Sequence, residues 1–111
     1  MQREDAIRLR HMLDAAEEAA RFIAGASRAD LDTNRMLAFA LVRAIEIVGE
    51  AASRVSEETR SAYPDLPWRN MTRMRNRIIH AYFDIDLDRV WDTVTDDLPP
   101  LASRLRAILT R

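Results

Sequence analysis

Within eight residues, Arg75-Asn76-Arg77-Ile78-Ile79-His80-Ala81-Tyr82, the chain sets two arginines, one of its two histidines and a tyrosine. The spacing is Arg, four residues, His, one residue, Tyr. Arginine beside histidine suits the cleavage of an RNA phosphodiester. The 2′-hydroxyl must lose a proton and the 5′-oxygen must gain one. An imidazole, with an unperturbed pKa near 6.5, serves either step close to neutral pH. Negative charge gathers on the phosphoryl oxygens in the transition state, and a planar guanidinium meets two of them at once without losing its proton. Asn76 can orient His80 or bind a phosphate oxygen. No metal is required, because the nucleophile already belongs to the substrate. The expected products are a 2′,3′-cyclic phosphate and a 5′-hydroxyl. On spacing alone the plainer reading stays open, since a histidine near a helix end beside a tyrosine is more often a packed or capping residue.

Positioning these groups is a demand on the helix that carries them. Residues seven apart lie almost on one helical face and residues four apart are neighbours, so Arg75 shares a face with Tyr82 and Asn76 with His80. Arg75 and His80 are five apart and point about 140° from each other. One straight helix would not bring both to one atom. Two copies meeting across a two-fold axis, or a bend near the helix end, would do so.

The elements around this stretch read as helices. Glu4 to about Ala24 carries Ile7, Leu13, Ala16, Ala20 and Ile23 at helical spacing, and Gly25 with Ser27 ends it. Asp30 or Asp32 is the expected cap of a second helix reaching about Val55. Its apolar positions, Met36, Leu37, Ala40, Leu41, Ala44, Ile45, Val48 and Ala52, make it the expected central core helix. Gly49 inside it costs roughly 1 kcal/mol against alanine, which close approach of another backbone would justify. Ser56 before Glu57 and Glu58 reads as the N-cap of a short helix ending near Tyr63. Pro64 stops that helix, and Pro67 begins a fourth helix expected to run to Tyr82. Asp86 caps a last helix with Val90, Trp91, Val94, Leu98, Leu101, Leu105 and Ile108 as its stripe, kinked or restarted at Pro99 and Pro100. No alternating strand pattern is visible. The expectation is one all-α domain over 1–111, a bundle of four main helices plus one short one.

Composition narrows the function. The chain has 111 residues, 48% hydrophobic and 32% charged, as a soluble globular protein has. It has no cysteine, which excludes disulfides and thiolate metal sites and favours a cytoplasmic home. No apolar run reaches the length of a membrane span, and no secretory signal is visible. With two glycines, no Gly-rich phosphate loop exists. Net charge is −1, against a protein that coats nucleic acid indiscriminately. Locally the balance differs: Arg69, Arg73, Arg75 and Arg77 fall between Leu66 and Phe83 with no acid among them. Arg69, Arg73 and Arg77 are the expected RNA-contacting side chains. Coding bias is the plainer explanation of an arginine-only chain, and composition alone does not show a preference for phosphate contacts. Asp84, Asp86 and Asp88 alternate, but the loop lacks the glycine and glutamate of a calcium site, so a helix cap and solvated acids explain them. Glu46, four before Glu50, holds an arginine of the motif helix if it points inward, and an exposed face fits its position equally well. His11 has no obvious acid–base partner and is expected at the surface. Trp68 and Trp91 read as core or interface anchors rather than base-stacking platforms.

The motif, with Gly49-Glu50-Ala51-Ala52, Tyr63-Pro64-Asp65-Leu66-Pro67-Trp68 and Asp96-Asp97-Leu98-Pro99-Pro100-Leu101, resembles a HEPN domain of the HepT type over about Ala44 to Leu101. The resemblance implies a metal-independent endoribonuclease, the toxin of a toxin–antitoxin pair, with Arg75, Asn76 and His80 as catalytic residues and no cofactor. It implies a homodimer whose two motifs share one cleft, an RNA substrate such as tRNA or mRNA, and no membrane partner. It further implies a nucleotidyltransferase antitoxin that transfers AMP onto Tyr82. Negative charge and bulk there would occupy the place of an RNA phosphate, so inhibition follows physically. A second reading is a non-catalytic module that binds and regulates a nucleotidyltransferase, suggested by the near-neutral charge and the apolar last helix.

Overall fold

The computed structural model describes residues 1–81 and 84–110, with side chains for all of these except His80 and Ala81. Helix α1 (Arg3–Phe22) buries Leu9, Met12, Leu13, Ala15, Ala16 and Ala19. This stripe is rotated from the expected one: Ile7 is 42% exposed, while Asp5 is buried. The chain leaves α1 through Gly25, whose φ of +78° lies in the left-handed region that favours glycine.

The expected second helix is two. A single turn, α2 (Asp30–Thr33), precedes α3 (Arg35–Ser53). Asn34, extended at φ −111°, breaks the run and caps α3 by accepting from the Leu37 N–H at 3.0 Å. The Asp30 carboxylate instead accepts from the Ser27 N–H at 2.8 Å, and Asp32 pairs with Arg28, so neither caps α3. Leu41, Ala44, Ile45, Val48 and Ala52 are buried as a central helix requires, and α3 packs on α1, α5, α6 and α7. Met36 is not part of that face, being 84% exposed.

Helix α4 (Glu57–Ala62) starts at Ser56 as its sequence implies. The Ser56 hydroxyl also donates to Asp5 at 2.5 Å, the Thr59 hydroxyl does so at 2.6 Å and the Ser56 N–H at 3.0 Å. Burial alone would raise the Asp5 pKa; these bonds outweigh it and hold the carboxyl below its ordinary value. Asp5 thereby fastens the start of α1 to the start of α4.

Past Pro67 the expected long helix is broken and short. Arg73 separates α5 (Trp68–Thr72) from α6 (Met74–Ile78), and Ile79 is extended at φ −119°, ψ 112°. The Ile78 carbonyl accepts from the Asp86 N–H at 2.8 Å, an acceptor that a continuing helix would need for its own next turn. Two adjacent β-branched isoleucines favour that switch. A small antiparallel pair follows, β1 (Ile79–Ala81) with β2 (Asp84–Ile85), in place of the all-helical path expected here.

Asp86 then caps α7 (Leu87–Asp92), accepting from the Arg89 N–H at 3.0 Å. A π-helical segment, Thr93–Asp97, leads into α8 (Leu98–Leu109). Pro99 and Pro100 fall in the first turn of α8, where their missing N–H groups cost least, and the wide π turn takes up the mismatch with the helix before them. Val90, Val94, Leu98, Leu101, Leu105 and Ile108 are all buried, and α8 packs on α1. The last helix spends its apolar stripe within the molecule. Trp68 is 9% exposed with its indole N–H donating to the Tyr63 carbonyl at 3.0 Å, and Trp91 packs on the core edge. The architecture is an all-α bundle. Among the described residues no helix is long and apolar enough to cross a membrane.

Candidate active site

The position of Arg75 rests on a glycine. Gly49 lies on α3 where α5 crosses, and a Cβ there would stand 2.9 Å from the Met71 carbonyl oxygen. Only hydrogen allows the two backbones this close, which accounts for a glycine inside a core helix. The crossing seats α5, and α6 follows directly along α3. Arg75 on α6 then meets Glu46, one turn before Gly49 on α3. Its Nε donates to Glu46 Oε2 at 2.9 Å. Glu46 thus takes the inward role that its sequence position allowed.

This ion pair joins side chains that are 57% and 28% exposed, so it adds little to stability. Its consequence is orientation. With Nε engaged, the guanidinium plane is held, and among the described residues no hydrogen bond takes its Nη1 or Nη2. Those two groups are the fork that binds a phosphate bidentately. Arg75 borders an open depression of about 210 Å³ that Glu46, Asn76, Arg43 and Glu50 also line.

The structure therefore brings Arg75 and Asn76 together. Arg77 is separate: it is two residues on, about 200° around the helix, and its Nη2 donates to Asn70 Oδ1 at 3.0 Å. It borders another depression, beside Asp96 and Asp97. Arg69 and Arg73 are exposed on α5 and at its end, outside the Arg75 depression. The backbone of His80 belongs to β1. Its side chain, and Tyr82 as a whole, lie outside the described residues. Because α6 ends at Ile78, the face-sharing of Arg75 with Tyr82 and of Asn76 with His80 on one continuous helix no longer applies. The chain instead leaves the helix after Ile78 and is extended at Ile79, between Arg75 and His80. Asp86 is a helix cap and Asp88 an ion-pair partner of Arg28 at 2.7 Å. His11 is exposed.

Sequence reasoning missed Arg43, which shares the depression with Arg75. Its spacing of three residues from Glu46 and seven from Glu50 places it on the same α3 face, a signal that was readable once Glu46 was taken as inward-facing.

A family model described as "Ribonuclease HepT-like" matches residues 12–108. A protein of Thermococcus cleftensis named a probable ribonuclease HepT is 41% identical over 70 residues, 63% of this chain and 64% of its own length. A putative RNase of Methanocaldococcus jannaschii is 31% identical over 97 residues, covering 87% of this chain and 89% of that one. Another, from Caldanaerobacter subterraneus subsp. tengcongensis, is 31% identical over 103 residues, 93% and 92% of the two chains. No solved structure matches the chain. With the matched span running from α1 to α8 and containing the whole motif, the chain belongs to the HepT-like ribonuclease family.

Proposed function

We propose that the protein is a metal-independent endoribonuclease acting at a phosphate held by Arg75. The observation that carries this reading is Arg75, bonded through Nε to Glu46 and bordering an open depression that Asn76 also lines. In the reaction His80 moves the proton, taking it from the 2′-hydroxyl or delivering it to the 5′-oxygen, and Arg75 stabilises the charged phosphoryl oxygens. The strand breaks to a 2′,3′-cyclic phosphate and a 5′-hydroxyl. Asn76 binds a phosphate oxygen or orients His80. Arg69 and Arg73 contact flanking RNA. Arg77, engaged with Asn70, needs to release that bond to do the same.

The site works as a homodimer in which both motifs border one cleft, and the protein is the toxin of a toxin–antitoxin pair. Its partner, a nucleotidyltransferase, silences it by transferring AMP to Tyr82. Support for these steps comes from family membership together with the Arg75, His80 and Tyr82 spacing. The alternative, a purely regulatory module, loses one of its motives because the apolar face of α8 is buried against α1. Two measurements separate the readings. RNA incubated with the purified, partner-free protein in EDTA should acquire cyclic-phosphate ends, and co-expression with a neighbouring nucleotidyltransferase should add AMP to Tyr82 by mass spectrometry. Intact RNA together with an unmodified Tyr82 would favour the regulatory module.

A further inference from the structure

A second concavity, of about 300 Å³, opens between α1 and the C-terminal half of α3. Arg8 and His11, three apart on α1, border one side. Arg43, Glu50 and Arg54 border the other, on or just past α3. Three arginines and one glutamate line it. That carboxylate, Glu50, pairs with Arg54 at 3.2 Å, but the two side chains are 67% and 58% exposed, so the pair yields readily to a competing anion. Fixed positive charge in a concave pocket, with an imidazole as a further donor, is a site for a phosphate group.

The identity of that phosphate follows from where the pocket lies. Arg43 and Glu50 also border the depression of Arg75 and Asn76, so the two concavities share a wall on α3. Arg43 to Arg54 spans about 16 Å of helix rise, room for more than one phosphate of a strand laid along it. We propose that Arg8, His11, Arg43 and Arg54 form a second phosphate-binding subsite, which grips the RNA backbone next to the phosphate cleaved at Arg75. This rests on the ribonuclease reading above and adds a track that the Arg75–His80 motif does not contain.

The test uses a single-stranded RNA carrying 2′-O-methyl groups throughout, which cannot be cleaved, with fluorescence anisotropy across a potassium chloride series. Wild type is compared with Arg8→Gln/Arg54→Gln and with Arg8→Lys/Arg54→Lys, each checked for an unchanged urea midpoint. The glutamine variant should bind roughly tenfold more weakly at 0.1 M salt and lose about 0.7 to 1.4 from the slope of log affinity against log salt, the value of one or two phosphates. The lysine variant, which keeps the charge, should restore most of the slope. On a cleavable RNA the glutamine variant should raise KM and leave kcat within about twofold, since the groups at the scissile phosphate are untouched. Inorganic phosphate competing as strongly as the oligonucleotide would identify a free-anion site and overturn the RNA assignment. Identical affinity and slope in wild type and glutamine variant overturn the subsite while leaving cleavage by wild type intact. A changed sedimentation coefficient with unchanged RNA binding also overturns it and gives this face to contact between copies. Absence of cleavage by wild type refutes the ribonuclease reading instead, and the binding slopes still decide the subsite.

Discussion

Gly49→Ala should destabilise this protein, although the same change at an ordinary helix-interior glycine stabilises by roughly 1 kcal/mol. The added methyl would sit 2.9 Å from the Met71 carbonyl oxygen, whereas ordinary contact begins at 3.4 Å. The obstacle is backbone, so α5 must move away from α3 by several tenths of an ångström. Overpacking of this kind costs about 1–3 kcal/mol. Set against the propensity gain, the net is a loss of about 1 kcal/mol, and the swing from the ordinary case is about 2 kcal/mol. For a domain of this size that loss lowers Tm by roughly 4–8 °C. The same movement draws α6 from α3 and loosens the 2.9 Å bond between Arg75 and Glu46, so RNA cleavage should fall by more than the change in folded fraction. Urea denaturation at constant m reads the stability term, and initial cleavage rates at a temperature where both proteins are folded read the second. Gly25→Ala is the contrast. No atom lies within 4 Å of that Cβ, yet its φ of +78° strains an L-residue, for a cost of roughly 1–2 kcal/mol without loss of cleavage when folded. A Gly49→Ala protein that is more stable than wild type would refute the close-crossing account of how Arg75 is placed.

Asp5→Asn should cost about 3 kcal/mol at neutral pH, because three donors lose a charged acceptor. The Asp5 pKa is lowered in the folded state, so its contribution is complete above the unfolded value of 3.8 and disappears as pH falls through the folded one. Wild type and variant should therefore differ evenly in urea midpoint from about pH 5 upward and converge in stronger acid; an undiminished gap at the lowest pH would count against it. Glu46→Gln should leave stability within about 0.5 kcal/mol, as the pair with Arg75 is largely exposed. It should lower kcat by roughly tenfold through loss of guanidinium orientation. A faster enzyme would mean instead that Glu46 masks Arg75 from the phosphate.

The parts of the fold that the sequence discloses are those whose signal is local and chemical. Ser56 before two glutamates and Asp86 before Leu87 are caps, and both cap as expected. The α8 stripe repeats over several turns, long enough for its period to fix the buried face. Gly49 raised the question of a close backbone, and Met71 answers it. What was illegible depended on competition between short-range choices. Asn34 displaced Asp30 and Asp32 as a cap because Asp30 turns back to Ser27. The helix expected to reach Tyr82 stops at Ile78 because the Asp86 amide takes the Ile78 carbonyl, a partner eight residues away that no helical period reveals. Strands of two and three residues are too short to show alternation. The buried face of α1 differs from the expected stripe at Ile7, because the Asp5 carboxylate is buried by bonds from Ser56 and Thr59, more than fifty residues away. At the site, residue types and spacing named Arg75 and Asn76, while the grouping of Arg75 with Glu46 and Arg43, and the separation of Arg77, follow from the α3–α6 packing.

The most direct test of the ribonuclease reading is cleavage of RNA by purified, partner-free protein in EDTA, with wild type, Arg75→Ala and His80→Ala side by side. Wild type should cut and leave 2′,3′-cyclic phosphate ends, and each variant should be slower by about a hundredfold or more while remaining folded. Equal cleavage by all three, or none by the unmodified wild type, would contradict it.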